Sequence, residues 1–225
     1  MKLTYLGHSG FTLELADTQV MIDPFITGNP LAVHQPETFH PSHIILTHAH
    51  GDHVGDTESI AKRSDAEVIS SFEIVTYLSA RGLSGHGMNP GGGFDFPFGR
   101  VSFTPAWHSS SFPDGTYGGM PMGVVIASGG KRLYHAGDTA LFSDMALIGR
   151  KGLDAALLPI GDNFTMGPED ALEAVKLLNP KVVIPIHYNT FELIEQDAGQ
   201  FKAAVESQTN TKCVILKAGD AYELS

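Results

Sequence analysis

His43-Ile44-Ile45-Leu46-Thr47-His48-Ala49-His50-Gly51-Asp52-His53 is the stretch on which the reading of this chain turns. Its first half is apolar and β-branched and reads as a buried strand. Its second half places four potential metal ligands within six residues, directly after that strand. In a turn leaving a strand, His48 and His50 can converge on one ion, while Asp52 and His53 point at a second position nearby. Imidazole nitrogen and carboxylate oxygen suit zinc, manganese or iron. At roughly 5% for each residue type, the pattern arises by chance in about one chain in a thousand of this length. A solvated histidine-rich turn is therefore the weaker reading.

This cluster alone cannot close a site for two ions, so further ligands must come from other strand ends. Three are offered, each where a strand-like run gives way to a loop: His108 after residues 101–105, Asp138 after 132–135, and His187 after 182–186.

Working outward, residues 2–6, 11–15 and 19–22 read as short strands, the last ending at Asp23-Pro24. Residues 56–63 and 72–81 read as helices around a strand at 66–70. The middle of the chain is antiparallel in character. It has Phe94, Phe96 and Phe98 at every second position, a strand at 101–105, and a hairpin joining 122–128 to 132–135 through Gly129-Gly130. The last third alternates again: a strand at 154–160, a helix at 168–178, a strand at 182–186, a helix at 200–208, and a closing pair of strands at 212–216 and 221–224. In the helix at 168–178, Pro168 suits the first helical position, Glu169 and Asp170 sit at its positive end, and Asn179-Pro180 stops it. Alternation of this kind predicts a layered α/β fold, with residues 1–225 as one domain.

Composition agrees. The chain has 225 residues, of which 42% are hydrophobic and 17% charged, so it can build a substantial core and is not a disordered segment. One cysteine excludes an intrachain disulfide and any cysteine-rich zinc module. The formal net charge of −11 argues against a nucleic-acid-coating surface. The N-terminal residues lack a secretory signal pattern, and no apolar run reaches membrane-spanning length, which predicts a cytoplasmic protein with no membrane partner. The excess is in histidine, with 11 copies, the residue most used for metal ligation and proton transfer near neutral pH.

The ordered set His-x-His-x-Asp-His, then His, Asp and His, resembles the metallo-β-lactamase superfamily, and the resemblance covers essentially the whole chain. Gly7-His8-Ser9, Met21-Ile22-Asp23-Pro24, Gly161-Asp162-Asn163-Phe164-Thr165-Met166-Gly167-Pro168 and His187-Tyr188-Asn189-Thr190 are similar to a narrower group of metal-dependent hydrolases near the L-ascorbate 6-phosphate lactonases and N-acyl-phosphatidylethanolamine phospholipases D. The resemblance implies a four-layer αββα sandwich. It implies one ion on His48, His50 and His108, a second on Asp52, His53 and His187, and Asp138 bridging both. Two divalent ions, zinc first and manganese or iron as alternatives, would activate hydroxide to cleave an ester, lactone or phosphodiester bond. Asp52 and Asp138 are the carboxylates implied to act in catalysis. Other branches fit less well. Cys213 lies away from every motif, unlike the cysteine of zinc β-lactamases, and His50 stands where flavodiiron enzymes carry Glu. The helical extension of glyoxalase II and the RNA-gripping arm of transfer-RNA processing enzymes are not seen.

Several residues are expected around the ligands. Asp23 would accept a hydrogen bond from a ligand histidine and set its tautomer. His8 would stand behind the ligands or enter the site. His135 suits the core by strand parity, and His34, His40 and His43 read as loop residues. Asn163, Thr165 and Met166, before a helix start that favours anions, are expected to bind substrate, as are Tyr188 and Asn189. The Gly91-Gly92-Gly93 run reads as a lid or a flexible turn. The substrate is expected to be a small anionic molecule, and a homo-oligomer is allowed. A nuclease and a non-catalytic metal-binding regulatory module are the alternatives. The acidic balance counts against the first, and seven intact ligand positions count against the second.

Overall fold

A computed structural model of the chain describes residues 1–15 and 17–224; Ala16 and Ser225, inside the 1–225 span read from the sequence, lie outside them. Six strands come first: β1 (Lys2–Gly7), β2 (Gly10–Leu15), β3 (Thr18–Ile22), β4 (His43–Ile45), β5 (Glu67–Ser71) and β6 (Gly85–Met88). A second group follows: β7 (Gly93–Phe96), β8 (Gly99–Pro105), β9 (Met122–Ser128), β10 (Lys131–His135), β11 (Ala155–Pro159), β12 (Val182–Ile186) and β13 (Lys212–Cys213). The chain then returns as β14 (Ala221–Glu223) to the edge of the first group. The result is two seven-stranded sheets, ordered β14-β1-β2-β3-β4-β5-β6 and β13-β12-β11-β10-β9-β8-β7.

The pleat explains the layering, because successive side chains in a strand face opposite ways. Val20, Ile22, Ile45 and Ile69 point inward from the first sheet and meet Val124, Ile126, Leu133, Leu157 and Ile184 of the second. Their neighbours Met21, Ile44 and Val68 point outward, against Ile60 of α2 (Thr57–Ser64) and Ile74 and Leu78 of α3 (Phe72–Ser79). A one-turn α1 (Gly51–Val54) precedes them. On the far side, Tyr134, Ala156, Leu158 and Val183 pack on Met145 of α4 (Met145–Gly149), Ala171 and Val175 of α5 (Pro168–Leu178), and Phe201 and Val205 of α6 (Ala198–Gln208). Three apolar layers between four structural ones make this an αββα sandwich, as the resemblance implied.

α5 begins at Pro168 and ends with Asn179 in the left-handed conformation, its amide returning to the Val175 carbonyl. The expected closing pair at 212–216 and 221–224 is corrected: β13 pairs with β12 and β14 with β1, so the two lie on different sheets. The phenylalanine stripe is half-buried and broken at Pro97. β7 stops at Phe96, the strand alternation ends at Pro97, Phe98 stacks on Phe96, and Phe94 is left exposed. The Gly91-Gly92-Gly93 run joins β6 to β7 and is tied to Phe103 by two backbone hydrogen bonds. His43 opens β4 instead of lying in a loop, and packs edge-on against Phe98.

Strand direction positions the site. β3 and β4 are parallel, so Asp23 and the run from His48 leave the first sheet at one end. β10 is parallel to β11, which is parallel to β12; β8 runs antiparallel to β9, and β9 to β10. β8, β10 and β12 therefore point the same way, and His108, Asp138 and His187 leave the second sheet at a common end.

Candidate metal centre

The structure brings all seven residues expected as ligands together there. Three sets of ligating atoms lie mutually within 4.8 Å: His48, His50 and His108; His48, His53 and Asp138; and His8, Asp52, His53 and His187. Asp138 is central. Its Oδ2 stands 3.0 Å from His187 Nε2, 3.6 Å from His108 Nε2 and 3.9 Å from His48 Nε2, and its Oδ1 stands 3.3 Å from His53 Nε2. Gly137, with φ 63°, makes the turn that aims it; a Cβ there would lie 2.7 Å from the Met122 carbonyl oxygen.

The rings are held from behind. Asp23, fully buried, accepts hydrogen bonds from the Thr47 amide (2.9 Å), the Thr47 hydroxyl (2.7 Å) and His53 Nδ1 (2.8 Å). With its proton given to Asp23, the Thr47 oxygen is free to accept from His48 Nδ1 at 3.0 Å. Both rings are thereby turned so that Nε2 faces Asp138. His8, also fully buried, contacts Asp52 Oδ2 through Nε2 at 3.1 Å and the Thr190 hydroxyl through Nδ1 at 2.8 Å. Its carbonyl accepts the His187 amide at 2.7 Å. His135 stands apart, bonded to the Ser9 carbonyl and the Gly137 amide.

Burial holds His48 well below the usual histidine range, with the neighbouring His53 adding to the effect. It also lowers His50 and His108, and pushes His8 down to about 4 against the pull of its bond to Asp52. These rings are neutral, the state in which imidazole offers a lone pair. Burial also opposes charge on His53 and Asp138. For His53 it is outweighed by Asp138 and Asp23, which hold the ring well above its ordinary value. For Asp138 it is outweighed by His187 and His53, which hold the carboxyl well below. Asp52 is lowered as well, burial yielding to the His8 hydrogen bond.

The donor set fits divalent cations. His53 Nε2 and Asp138 Oδ1 are buried and make no hydrogen bond, although each faces other polar atoms. Buried polar atoms normally find a partner, and a cation supplies one to both. His48 Nε2 and His50 Nδ1 converge to 3.0 Å, as two lone pairs aimed at a common ion would.

The residues expected at substrate are placed differently. Met166 is buried in the helical core, and so is Tyr188, because both side chains turn toward α5 and α6 and away from the ligands. Asn189 spends its side-chain oxygen on the Gln196 amide, closing its own loop. Asn163 is exposed and Thr165 half-buried, in a loop that Met166 fastens to the Thr139 carbonyl beside Asp138. The start of α5 is no anion cradle. It borders a hollow of about 1440 Å³ lined by Asp162, Glu169, Asp170, Glu195 and Asp197, whose negative charges already offset the positive end of the helix dipole, and none of the seven clustered residues lines it. A smaller hollow of about 370 Å³ does adjoin the cluster, lined by His108, Trp107, Ser109, Tyr117 and Met120. Trp107 and Tyr117 are 66% and 63% exposed. Sequence reasoning missed both. The signal available was Trp107 directly before the ligand candidate His108, whereas Tyr117 arrives by a loop whose path only the fold shows.

The chain belongs to the β-lactamase superfamily, whose domain matches residues 18–188. It stands among that superfamily's metal-dependent hydrolases. A UPF0173 metal-dependent hydrolase of Thermus thermophilus is 58% identical over 224 residues, covering 100% of this chain and 99% of its own. A UPF0173 metal-dependent hydrolase of Pelotomaculum thermopropionicum is 52% identical over 229 residues, with 100% of each chain covered. Among solved structures, Igni18, a novel metallo hydrolase from the hyperthermophilic archaeon Ignicoccus hospitalis, is 42% identical and superposes with a TM-score of 0.91, covering 100% of this chain and 99% of that one.

Proposed function

We propose that the chain hydrolyses an ester, lactone or phosphodiester bond of a small anionic substrate, using two divalent ions, with zinc first and manganese or iron as alternatives. The observation that carries this reading is the place of Asp138 between the His48/His50/His108 group and the group of His53, His187 and Asp52. His48, His50 and His108 would hold one ion, Asp52, His53 and His187 the other, and Asp138 both. Bound there, the ions supply Lewis acidity that acidifies water and polarises the bond under attack.

The remaining work falls to the protein. Asp23 and Thr47 fix the rings of His53 and His48. Asp52, with Oδ2 engaged by His8, makes no hydrogen bond through Oδ1 among the described residues and can accept one from the attacking water. The hollow beside Trp107 and Tyr117 gives room for an apolar part of the substrate, and its anionic part would be met at the ligand cluster. A net charge of −11 disfavours a long polyanion, which sets the nuclease reading second. No helix among the described residues is long and apolar enough to cross a membrane.

Elemental analysis of reconstituted protein, followed by assay on a panel of esters, lactones, phosphodiesters and RNA, tests this. The expected result is about two ions per chain and turnover of a small ester, lactone or phosphodiester. Saturation at one ion would overturn the dinuclear site, and faster cleavage of RNA than of any small molecule would promote the nuclease reading.

A further inference from the structure

We infer that His8 is a positioning residue that assembles one half of the metal centre: it orients Asp52 through its ring and His187 through its main chain, and so governs the ion held there without touching the other. The inference rests on the dinuclear reading and adds to it a division of labour between the two halves.

The ring is fixed at both nitrogens. A carboxylate only accepts, so the 3.1 Å contact with Asp52 Oδ2 puts the ring proton on Nε2. Nδ1 is then an acceptor and takes the Thr190 hydroxyl proton at 2.8 Å. The order Thr190–His8–Asp52 runs from the loop after β12 on the second sheet to the turn after β4 on the first. It spans the two sheets through side chains alone. The His8 carbonyl adds a second link across the same gap by accepting the His187 amide at 2.7 Å, and is itself steadied by the Tyr5 hydroxyl at 2.9 Å.

His8 and His187 both have left-handed backbone, with φ of 57° and 53°. Two non-glycine residues in that region, joined by one short hydrogen bond, indicate a clamp that the surrounding structure enforces. The ring lies 4.1 Å from that of His187 by centroids and is flanked edge-on by Phe25 and Phe191, which keep it from swinging away. No comparable contact runs from His8 to His50 or His108. Its influence should therefore be confined to the group of Asp52, His53 and His187.

His8→Asn tests this on the full chain. Asparagine tolerates the left-handed backbone but is too short to replace the ring contacts. Metal binding is followed by competitive chelation and by the visible spectrum of the cobalt(II)-substituted protein, which needs no substrate. One ion is expected to keep its affinity and spectrum. The other should bind roughly 10–100-fold more weakly, the usual effect of losing a residue that orients a ligand, and kcat should fall more than KM rises. Thr190→Val should give the same asymmetry in weaker form, and Thr190→Ser should restore it. Because Thr190→Val is nearly isosteric, it decides the matter if His8→Asn fails to fold. Wild-type protein that binds two ions, with variants that bind both unchanged or lose both equally, overturns the role of His8. Wild-type protein that never takes up a second ion overturns the dinuclear reading instead.

Discussion

Asp23 Oδ2 lies 2.8 Å from His53 Nδ1, and neither residue is reached by solvent. The same oxygen takes the Thr47 hydroxyl proton, and Thr47 in turn accepts from His48. One buried carboxylate thus sets the tautomer of a ring in each proposed ion group. Asp23→Asn should be more damaging than its size suggests. Three donors converge on Asp23, and an amide has a single accepting oxygen, so one donor must face another. Affinity for both ions should fall, by about 10–100-fold for the ion nearer His53, as read by chelator competition.

Asp138→Ala removes the carboxylate between the two groups. At least one ion should be lost from the fully loaded protein, and hydrolysis with it, while the far-ultraviolet circular dichroism stays that of the wild type. Unchanged metal content and turnover would refute a bridging role.

Gly137→Ala places a methyl group 2.7 Å from the Met122 carbonyl and 3.0 Å from Thr47 Cβ, at a φ of 63°. Strain of this kind costs about 1–3 kcal/mol, which denaturant unfolding should detect. Because the residue directly precedes Asp138, turnover should drop as well.

Cys213 is fully buried, and burial, with Glu206 nearby, pushes its thiol up to about 12 from an ordinary 9.0. The folded protein should resist a thiol-specific disulfide reagent at pH 8 and react fully once unfolded. The raised pKa also has a sign. The unfolded thiol ionises near 9 and the folded one does not, so stability should be lost as pH rises from about 9 toward 12. Replacing Cys213 by Ala should flatten that part of the profile relative to wild type; identical slopes would count against the assignment.

The clustering of the proposed ligands was legible because most of them sit where strands end, and strand ends show as apolar runs breaking at turn formers. His48, His108, Asp138 and His187 have that signature, and so does Asp23 behind them. It failed for Met166 and Tyr188, since a run of residues after a strand does not say which of them turns back into the core. The acidic hollow at α5 was invisible for a different reason. Glu195 and Asp197 lie nearly thirty residues from the helix start they oppose, so local reading gave the dipole without the charges around it. The terminal strands separated because two short edge segments carry no pairing signal beyond their hydrophobicity.

Among the described residues the two sheets share no strand pairing. The histidine and aspartate cluster, by contrast, draws His48, His50, Asp52 and His53 from the turn and α1 after β4 of one sheet, and His108, Asp138 and His187 from loops of the other. An ion bound there would rivet two sheets that are otherwise joined at this end by a few hydrogen bonds, such as His187 to the His8 carbonyl and Met122 to the Thr47 carbonyl, and its binding energy would enter the folding equilibrium directly. At a free concentration one hundred times its Kd, a bound ion would add about 2.7 kcal/mol to stability. Chelation should therefore lower the melting temperature as well as silence the enzyme, and heat tolerance in this chain would become a function of metal supply.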